Sequence, residues 1–245
     1  MFYSSEVRAG RAVVTGERAA HLRRVLRVEP GQKYELSDGA RLYLAEIAGF
    51  GLGTVEFRIL EELSARRPGT SLVLYAALVK FDRFEWMIEK AAELGAGRVV
   101  PVVTARTEAG LEKAAIKRLP RWRRIAEESG QQCRRIRAMS VEAPLELAEV
   151  LRADHVQRVL LDEGGAAPLL TVLRSTPGEI ALLTGPEGGW TPLERAAVLE
   201  AGWTPAALGE QILRAETAAL AGLSLIQGWF WAQAAPNWTT AAKQA

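Results

Sequence analysis

The chain has 245 residues, of which 49% are hydrophobic and 24% charged, so it can bury a core and is long enough for two domains. Its 31 lysines and arginines nearly balance 29 aspartates and glutamates, and a single cysteine, Cys133, excludes an internal disulfide. Two histidines are too few for the usual zinc ligand sets, and the N-terminal residues MFYSSEVRAG lack the apolar segment of a signal peptide, so we predict a cytoplasmic protein without a metal site.

Residues 1–68 have the pattern of a small β-barrel. Short runs of strand-forming residues alternate with turn signals such as Pro30-Gly31 and Asp38-Gly39. The predicted strands cover residues 11–15, 33–37, 41–47 and 54–60, and one helix covers residues 17–27. Residues 66–69, with the sequence RRPG, form the natural linker to the next domain.

From residue 71 the pattern changes to alternating strands and helices. Strands are predicted over residues 71–79, 98–103, 137–141, 156–162, 180–184 and 206–208. Helices are predicted over residues 82–95, with Asp82 as the N-cap, and over 119–133, 144–151, 192–201 and from 215 onward. Because continuous apolar runs such as 71–79 are typical of buried parallel strands, residues 71–245 are predicted to form an α/β domain with a mostly parallel sheet.

The segment 217–235 is nearly uncharged and about long enough to span a bilayer. It is rich in alanine and glycine, however, and contains Ser224, Gln227 and Gln233. These residues favour a helix buried in a core or a subunit interface, so we predict no membrane partner.

A local excess of positive charge lies between residues 117 and 137, which contain eight basic and two acidic side chains. Arginine binds phosphate through paired hydrogen bonds and stacks on bases, so this segment suggests a polyanionic partner. A solvated helix face is the alternative explanation.

The segment 182–190, LLTGPEGGW, takes a predicted strand into a loop with three glycines. Thr191, Pro192 and Glu194 then supply an N-cap, a first-turn proline and a capping box for the following helix. In parallel sheets ligands bind beyond the carboxyl ends of the strands, where glycine allows close approach of the backbone. The loop is therefore a candidate ligand site, and a tight structural turn is the alternative.

The segment 208–218, LGEQILRAETA, repeats this arrangement of strand, glycine loop and helix start. The presence of two such loops favours one binding site to which both loops contribute. Arg214 is a candidate functional cation, although it could equally form a salt bridge with Glu187 or Glu216. The chain has no GxxxxGK[ST] phosphate loop, no GxGxxG dinucleotide loop and no credible Ser–His–Asp triad.

These segments together resemble the SPOUT methyltransferases. The resemblance is carried by GPEGG at 185–189, by LG at 208–209 and by ILRAETA at 212–218, and it is stronger for the branch that methylates N3 of uracil in 16S ribosomal RNA. HLRRVLR at 21–27, KAAELG at 90–95 and EESGQQCRR at 127–135 support it. Gln211 stands where this branch commonly has arginine, and Ala215 where it commonly has threonine.

The resemblance implies a PUA-like RNA-binding β-barrel over residues 1–68 and a SPOUT α/β domain with a deep trefoil knot over residues 71–245. It implies a homodimer with the cofactor site near the interface, where the apolar C-terminal helix would lie. S-Adenosylmethionine would bind in the knot, largely to backbone groups, and leave as S-adenosylhomocysteine. The cofactor-binding residues implied are Leu183, Thr184, Gly185, Pro186, Glu187, Gly188, Gly189, Leu208, Gly209, Ile212, Leu213, Arg214, Thr217 and Ala218.

The resemblance also implies methyl transfer to N3 of a specific uridine in 16S ribosomal RNA of the small subunit. Arg214 would stabilise the developing uracil anion, while Glu187 and Glu216 would accept the proton or hold Arg214. Because N3 lies on the Watson–Crick edge, the target must be unpaired or flipped out. The arginines expected to bind RNA are Arg8, Arg23, Arg24, Arg121, Arg124, Arg134 and Arg135.

Three alternative functions remain open from the sequence. A SPOUT enzyme could methylate the ribose 2′-OH of transfer or ribosomal RNA instead. A non-enzymatic assembly factor would bind RNA without methyl transfer. A nucleotide-binding metabolic enzyme would bind RNA weakly, with little dependence on salt.

Overall fold

Two sheets contain all the strands among the residues that the computed structural model describes, which are 1–4, 7–64, 70–164, 166–175 and 178–234. The chain divides into a first unit, Met1–Arg67 with Glu127–Ala138, and a second unit, Pro68–Ala126 with Met139–Ala245. The domains 1–68 and 71–245 remain a proposal; the structural units have their boundary between Arg67 and Pro68 and assign the segment Glu127–Ala138 to the first unit. The predicted linker 66–69 lies outside the described residues.

The first unit is built on a six-stranded sheet. Its elements are β1 (Phe2–Tyr3), β2 (Val7–Arg8), β3 (Arg11–Thr15), α1 (Gly16–Arg24), β4 (Lys33–Ser37), β5 (Leu42–Gly51) and β6 (Thr54–Leu63). The strand order is β1-β4-β5-β6-β3-β2, and every pair is antiparallel except β1 with β4. The predicted strands are confirmed, with β5 and β6 extending beyond their predicted ends. Helix α1 ends before the predicted residue 27, because Arg27 has a φ of +49°, which an α-helix cannot contain.

The core of this unit follows from the period of two along its strands. In β3, Ala12 and Val14 are buried while their neighbours are exposed. They pack with Val55 and Phe57 of β6 and with Leu22 of α1. One apolar side of the sheet is thereby covered by the helix.

The second unit is built on an eight-stranded sheet in which every pair is parallel. Its strands are β7 (Thr70–Ala77), β8 (Arg98–Val103), β9 (Ser140–Val141), β10 (Leu145–Glu146), β11 (Gln157–Leu161), β12 (Ala167–Pro168), β13 (Gly178–Thr184) and β14 (Thr204–Ala207). Its helices are α2 (Phe81–Glu93), α3 (Leu111–Gln132, of which the part from Glu127 belongs to the first unit), α4 (Leu147–Val150), α5 (Leu169–Val172), α6 (Pro192–Glu200) and α7 (Ala215–Ala234). The strand order is β10-β8-β7-β13-β11-β14-β12, with β9 also paired to β8. The predicted α/β architecture with a parallel sheet is confirmed.

Helices cover both faces of this sheet. On β13, Ile180 and Leu182 pack in one apolar cluster together with residues of α2, α3, α5 and α7. The alternate residues Ala181 and Leu183 pack in a second cluster with α4 and α6. Burial on both faces explains why the central strands are continuous apolar runs.

Several predicted boundaries in the second unit are wrong. Helix α3 begins eight residues earlier than predicted and continues through Pro120, a residue type that more often marks a helix start. Helix α2 has Lys80, not Asp82, at its N-cap position. The predicted strand 137–141 is reduced to β9, the predicted helix 144–151 is replaced by β10 and the four-residue α4, and β12 and α5 were not predicted. Such short elements carry too few residues for a periodic pattern.

Among the described helices, not even α7 has the length and hydrophobicity needed for a transmembrane span. The trefoil knot implied by the resemblance stays a prediction.

Candidate active site

A cavity of about 870 Å³ opens at the carboxyl ends of the neighbouring strands β13, β11 and β14. Its wall is formed by the loops that follow these three strands, by the start of α7, and by Arg83 and Arg106. Because the strands are parallel and adjacent, their three loops meet at one edge of the sheet. The volume lies in the range of sites for small ligands and cofactors.

The loop after β13 is shaped by its glycines. A Cβ atom at Gly185 would lie 2.8 Å from the indole Nε1 of Trp190, so a larger residue would displace the ring. Gly189 has a φ of +72°, and its N–H donates to the carbonyl oxygen of Pro186 at 2.8 Å. Arg106, from the loop after β8, donates to the carbonyl oxygens of Gly188 and Gly189. These contacts fix the conformation of the loop, and its backbone forms part of the cavity wall.

The predicted capping box fixes the far end of the same loop. Thr191 Oγ1 accepts from the N–H of Glu194, and a carboxylate oxygen of Glu194 accepts from the N–H of Thr191 at 2.9 Å. The other oxygen accepts from the N–H of Ala105 at 2.7 Å. Burial alone would raise the pKa of Glu194, but these backbone donors hold it below its usual range.

Arg214 lies on the cavity wall with its side chain exposed. No carboxylate of the described residues lies within ion-pair distance of it, so the predicted alternative of a salt bridge to Glu187 or Glu216 is wrong. Arg83 from α2 takes that place. Its Nη1 pairs with Glu187 Oε1, and its Nε lies 3.8 Å from Glu216 Oε1.

The two candidate carboxylates differ in their surroundings. Glu187 lies on the cavity wall and 42% of its side chain is exposed. Glu216, in the first turn of α7, has an 8% exposed side chain and is absent from the wall. Its Oε2 is buried without a hydrogen-bond partner among the described residues.

The structure brings most of the predicted cofactor-binding residues to one cavity. The members on its wall are Thr184, Gly185, Pro186, Glu187, Gly188, Gly189, Leu208, Gly209, Ile212, Leu213, Arg214 and Ala218. Leu183 is buried in the second apolar cluster, and Thr217 is exposed away from the wall. For these two residues the role in cofactor binding stays a prediction.

Sequence reasoning missed five charged residues of the wall: Arg83, Arg106, Asp162, Glu163 and Arg195. Asp162 follows β11, is buried, and pairs with Arg195 of α6 at 2.7 Å. These residues come from four separate segments of the second unit, and none lies in the two glycine loops singled out above. The available signals were the glycine pair that follows Glu163 and, for all but Arg195, a position near the carboxyl end of a predicted strand.

The arginines predicted to bind RNA fall in both units. In the first unit Arg8, Arg23 and Arg24 are exposed, and the guanidinium of Arg23 lies 5.2 Å from the centre of the Phe50 ring. Arg134 pairs with Glu35, while Arg135 is partly buried, which lowers its pKa. In the second unit Arg121 pairs with Glu85 of α2, and Arg124 is exposed on α3.

A second polar network lies towards the amino ends of the strands. The buried His155 contacts the hydroxyl of Tyr75 at 2.9 Å and Glu179 Oε1 at 2.8 Å, and Arg98 pairs with the same carboxylate. Burial lowers the pKa of His155 and raises that of Tyr75. This network lies apart from the cavity wall, and no group of three His, Cys, Asp or Glu side chains in the described ranges could hold a metal ion.

Comparisons with known proteins agree with the two-part organisation. Residues 66–227 match the model of an RNA methyltransferase domain, and residues 14–60 match that of an RNA methyltransferase PUA domain. The chain is 34% identical over 219 residues to ribosomal RNA small subunit methyltransferase E of Synechocystis sp., which covers 84% of this chain and 69% of that protein. It is 31% identical over 223 residues to the protein of the same name from Mycobacterium bovis, which covers 88% and 85% of the two chains.

Solved structures show the same fold over nearly the whole chain. A ribosomal RNA small subunit methyltransferase E from Neisseria gonorrhoeae, bound to S-adenosylmethionine, superposes with a TM-score of 0.81 at 28% identity and covers 93% of this chain and 96% of that one. A methyltransferase from Legionella pneumophila, in complex with the same cofactor, has a TM-score of 0.83 at 28% identity and covers 93% and 96%.

Proposed function

The chain belongs to the ribosomal RNA small subunit methyltransferase E family of RNA methyltransferases, and from this we propose that it transfers a methyl group from S-adenosylmethionine to N3 of a uridine in 16S ribosomal RNA. The observation that carries the proposal is the cavity between the two glycine loops, with Arg214 on its wall and no carboxylate of the described residues paired to it. The cavity would hold the cofactor, and the cation would face the charge that develops on the acceptor.

The cavity fits the proposed cofactor. Its volume of about 870 Å³ accommodates a nucleoside with an amino-acid side arm. The glycines at 185, 188 and 189 leave backbone groups accessible, and the similar proteins from Neisseria and Legionella bind this cofactor. The predicted wall residues from both loops would hold it, largely through backbone N–H and C=O groups.

The chemistry divides between cofactor and protein. When bound, S-adenosylmethionine supplies a methyl group already activated on a positively charged sulfur. The residues of the cavity then have to align the acceptor and exclude water. Since loss of the N3 proton leaves negative charge on the uracil ring, Arg214 would stabilise that charge at O2 or O4.

Glu187 and Glu216 both face Arg83 rather than Arg214. The expectation that they hold Arg214 is therefore replaced by the proposal that they set the charge at the cavity, and acceptance of the N3 proton by one of these two carboxylates remains part of the proposal.

The remaining parts of the proposal concern the partner and the assembly. Exposed arginines of both units, Arg8, Arg23 and Arg24 in the first and Arg121 and Arg124 in the second, would contact RNA phosphates. Arg134 and Arg135, which lie in the segment Glu127–Ala138 of the first unit, would also contact RNA phosphates. We further propose a homodimer, with α7 at its interface, acting in the cytoplasm on the small ribosomal subunit.

The deciding experiment is methyl transfer from labelled S-adenosylmethionine to small ribosomal subunits that lack the modification, followed by mass spectrometry of the nucleosides. N3-methyluridine is the expected product. Label on ribose would replace the proposal with 2′-O-methylation. RNA binding without any label, with cofactor binding absent by calorimetry, would indicate a non-enzymatic RNA-binding protein.

A further inference from the structure

Arg83 connects three segments at the edge of the candidate site. It extends from the first turn of α2 to Glu187 in the glycine loop and to Glu216 in the first turn of α7. The guanidinium lines the cavity and 32% of the side chain is exposed. One cation is therefore shared by two carboxylates that belong to two different segments around the same cavity.

The buried partner depends on this cation. Glu216 is a buried carboxylate next to the cavity, and its Oε2 has no hydrogen-bond partner among the described residues. A buried carboxylate needs compensation by a positive charge or by hydrogen bonds. Among the described residues, the cation within ion-pair distance of Glu216 is Arg83, whose Nε lies 3.8 Å from Glu216 Oε1.

Arg214 lies on the same wall and has no carboxylate partner in the described part of the chain. If Arg83 were absent, Glu187 would be left without its guanidinium on a wall that it shares with Arg214. Opposite charges in a partly desolvated cavity attract strongly. Arg214 would then be drawn towards Glu187 and away from a bound substrate.

We propose that Arg83 is a positioning residue, which neutralises Glu187 and Glu216 and thereby keeps Arg214 unpaired for the substrate. This inference rests on the proposed function, because it is the developing charge on the acceptor that requires a free Arg214. A planar guanidinium presents five donors in a fixed fork, whereas the ammonium of lysine is a compact point charge on a flexible stem.

The test compares Arg83→Met with the double variant Arg83→Met/Glu187→Gln in methyl transfer to unmodified small subunits. We expect the single variant to lose about 10- to 100-fold in kcat, less than the roughly 100- to 1000-fold cost of removing such a cation outright, because Arg214 would be only partly captured. The double variant is compared with Glu187→Gln alone, so that any part of this carboxylate in accepting the proton or holding the cofactor cancels. In that background Arg83→Met should cost less than about threefold, because the carboxylate that captures Arg214 is gone. A merely structural role of Arg83 predicts the same loss of about 10- to 100-fold in both backgrounds, and that result would overturn the inference.

Lys90→Met is the matched control. Lys90 lies on the same helix between two carboxylates, Glu89 at 2.7 Å and Glu93 at 2.8 Å, but away from the cavity wall. Its removal should leave kcat unchanged within about twofold, since such exposed pairs contribute little. Arg83→Lys, which keeps the charge and the fold, should fall between wild type and Arg83→Met; activity as low as that of Arg83→Met would contradict the charge argument.

A second measurement is independent of turnover. Calorimetry gives the affinities for S-adenosylmethionine, which is cationic at sulfur, and for S-adenosylhomocysteine, which is neutral there. Because Arg83→Met makes the net charge at the cavity one unit more negative, the ratio of these affinities should shift about three- to tenfold towards the cationic cofactor and return in the double variant. An unchanged ratio would overturn the inference, whereas an inactive wild type with the expected ratio would refute only the proposed function.

Discussion

Arg214 carries a positive charge on the cavity wall that no carboxylate within the described ranges neutralises. An exposed arginine on a protein surface is ordinary, but one that lines a cavity between two glycine loops is placed to meet a ligand. Its position comes from the end of the loop before α7, whose first turn begins at the next residue. The proposed role of Arg214 therefore depends on both the residue type and the loop that carries it.

We predict that Arg214→Ala lowers kcat for methyl transfer about 100-fold while the affinity for S-adenosylmethionine changes less than about threefold. The reason is that the side chain would act on charge that develops only in the transition state. Steady-state turnover assays at saturating substrate and calorimetry measure the two quantities. Activity within about twofold of wild type would remove Arg214 from the mechanism.

Helix α7 packs against the central strands at a glycine. A Cβ atom at Gly222 would lie 2.8 Å from Leu182 Cδ2 and 3.1 Å from Leu161 Cδ1, so the helix approaches β13 and β11 closely. Gly228, further along the helix, is exposed and would meet no atom within 4 Å. Gly222 therefore allows the helix to pack closely on the strands, whereas Gly228 makes no such contact.

Alanine substitutions at these two positions should have opposite effects on stability. Gly222→Ala is expected to lower the free energy of unfolding by about 1–3 kcal/mol, because the added methyl group overpacks the core. Gly228→Ala is expected to raise it by up to about 1 kcal/mol, because alanine favours the helix. Urea denaturation followed by circular dichroism measures both, and equal effects would mean that α7 is not packed as described.

At the scale of the whole molecule, the basic residues are distributed over two units, each with its own core. The first unit exposes Arg23 and Arg24 on α1, and the second exposes Arg121 and Arg124 on α3. Phosphate contacts release counterions and therefore make RNA affinity salt-dependent. If both units contact RNA, each should contribute separately to that dependence.

We predict that replacing Arg23 and Arg24 together by alanine reduces the slope of log affinity against log salt by about 1.4, or about 0.7 for each phosphate of single-stranded RNA that the variant no longer neutralises. Affinity for a 16S ribosomal RNA fragment, measured at several salt concentrations, gives this slope. Arg58→Ala, which removes an exposed pair with Glu46 in the same unit, serves as the control. An unchanged slope in the double variant would exclude these two arginines from binding phosphate.

Much of the local structure was predictable because local signals carry it. The bounds of β3, β4 and β8 agree with the prediction, since alternation or continuous burial marks them within a few residues. The capping box at Thr191 follows from the identities of two residues one helical turn apart. The short strands β10 and β12 were missed or misassigned because pairing with a neighbouring strand, rather than their own sequence, stabilises them. The four-residue helices α4 and α5 are too short to show a helical period.

By itself the sequence determined the class of the fold, the two glycine loops and the family, because motif, hydrophobic period and turn residues are properties of neighbours along the chain. The partners of the charged residues were decided only by the tertiary structure. Arg83 is separated from Glu187 by 104 residues, and the order of the parallel strands brings them together. Ion pairing depends on distance in space, and the folded sheet sets that distance, not the separation along the sequence.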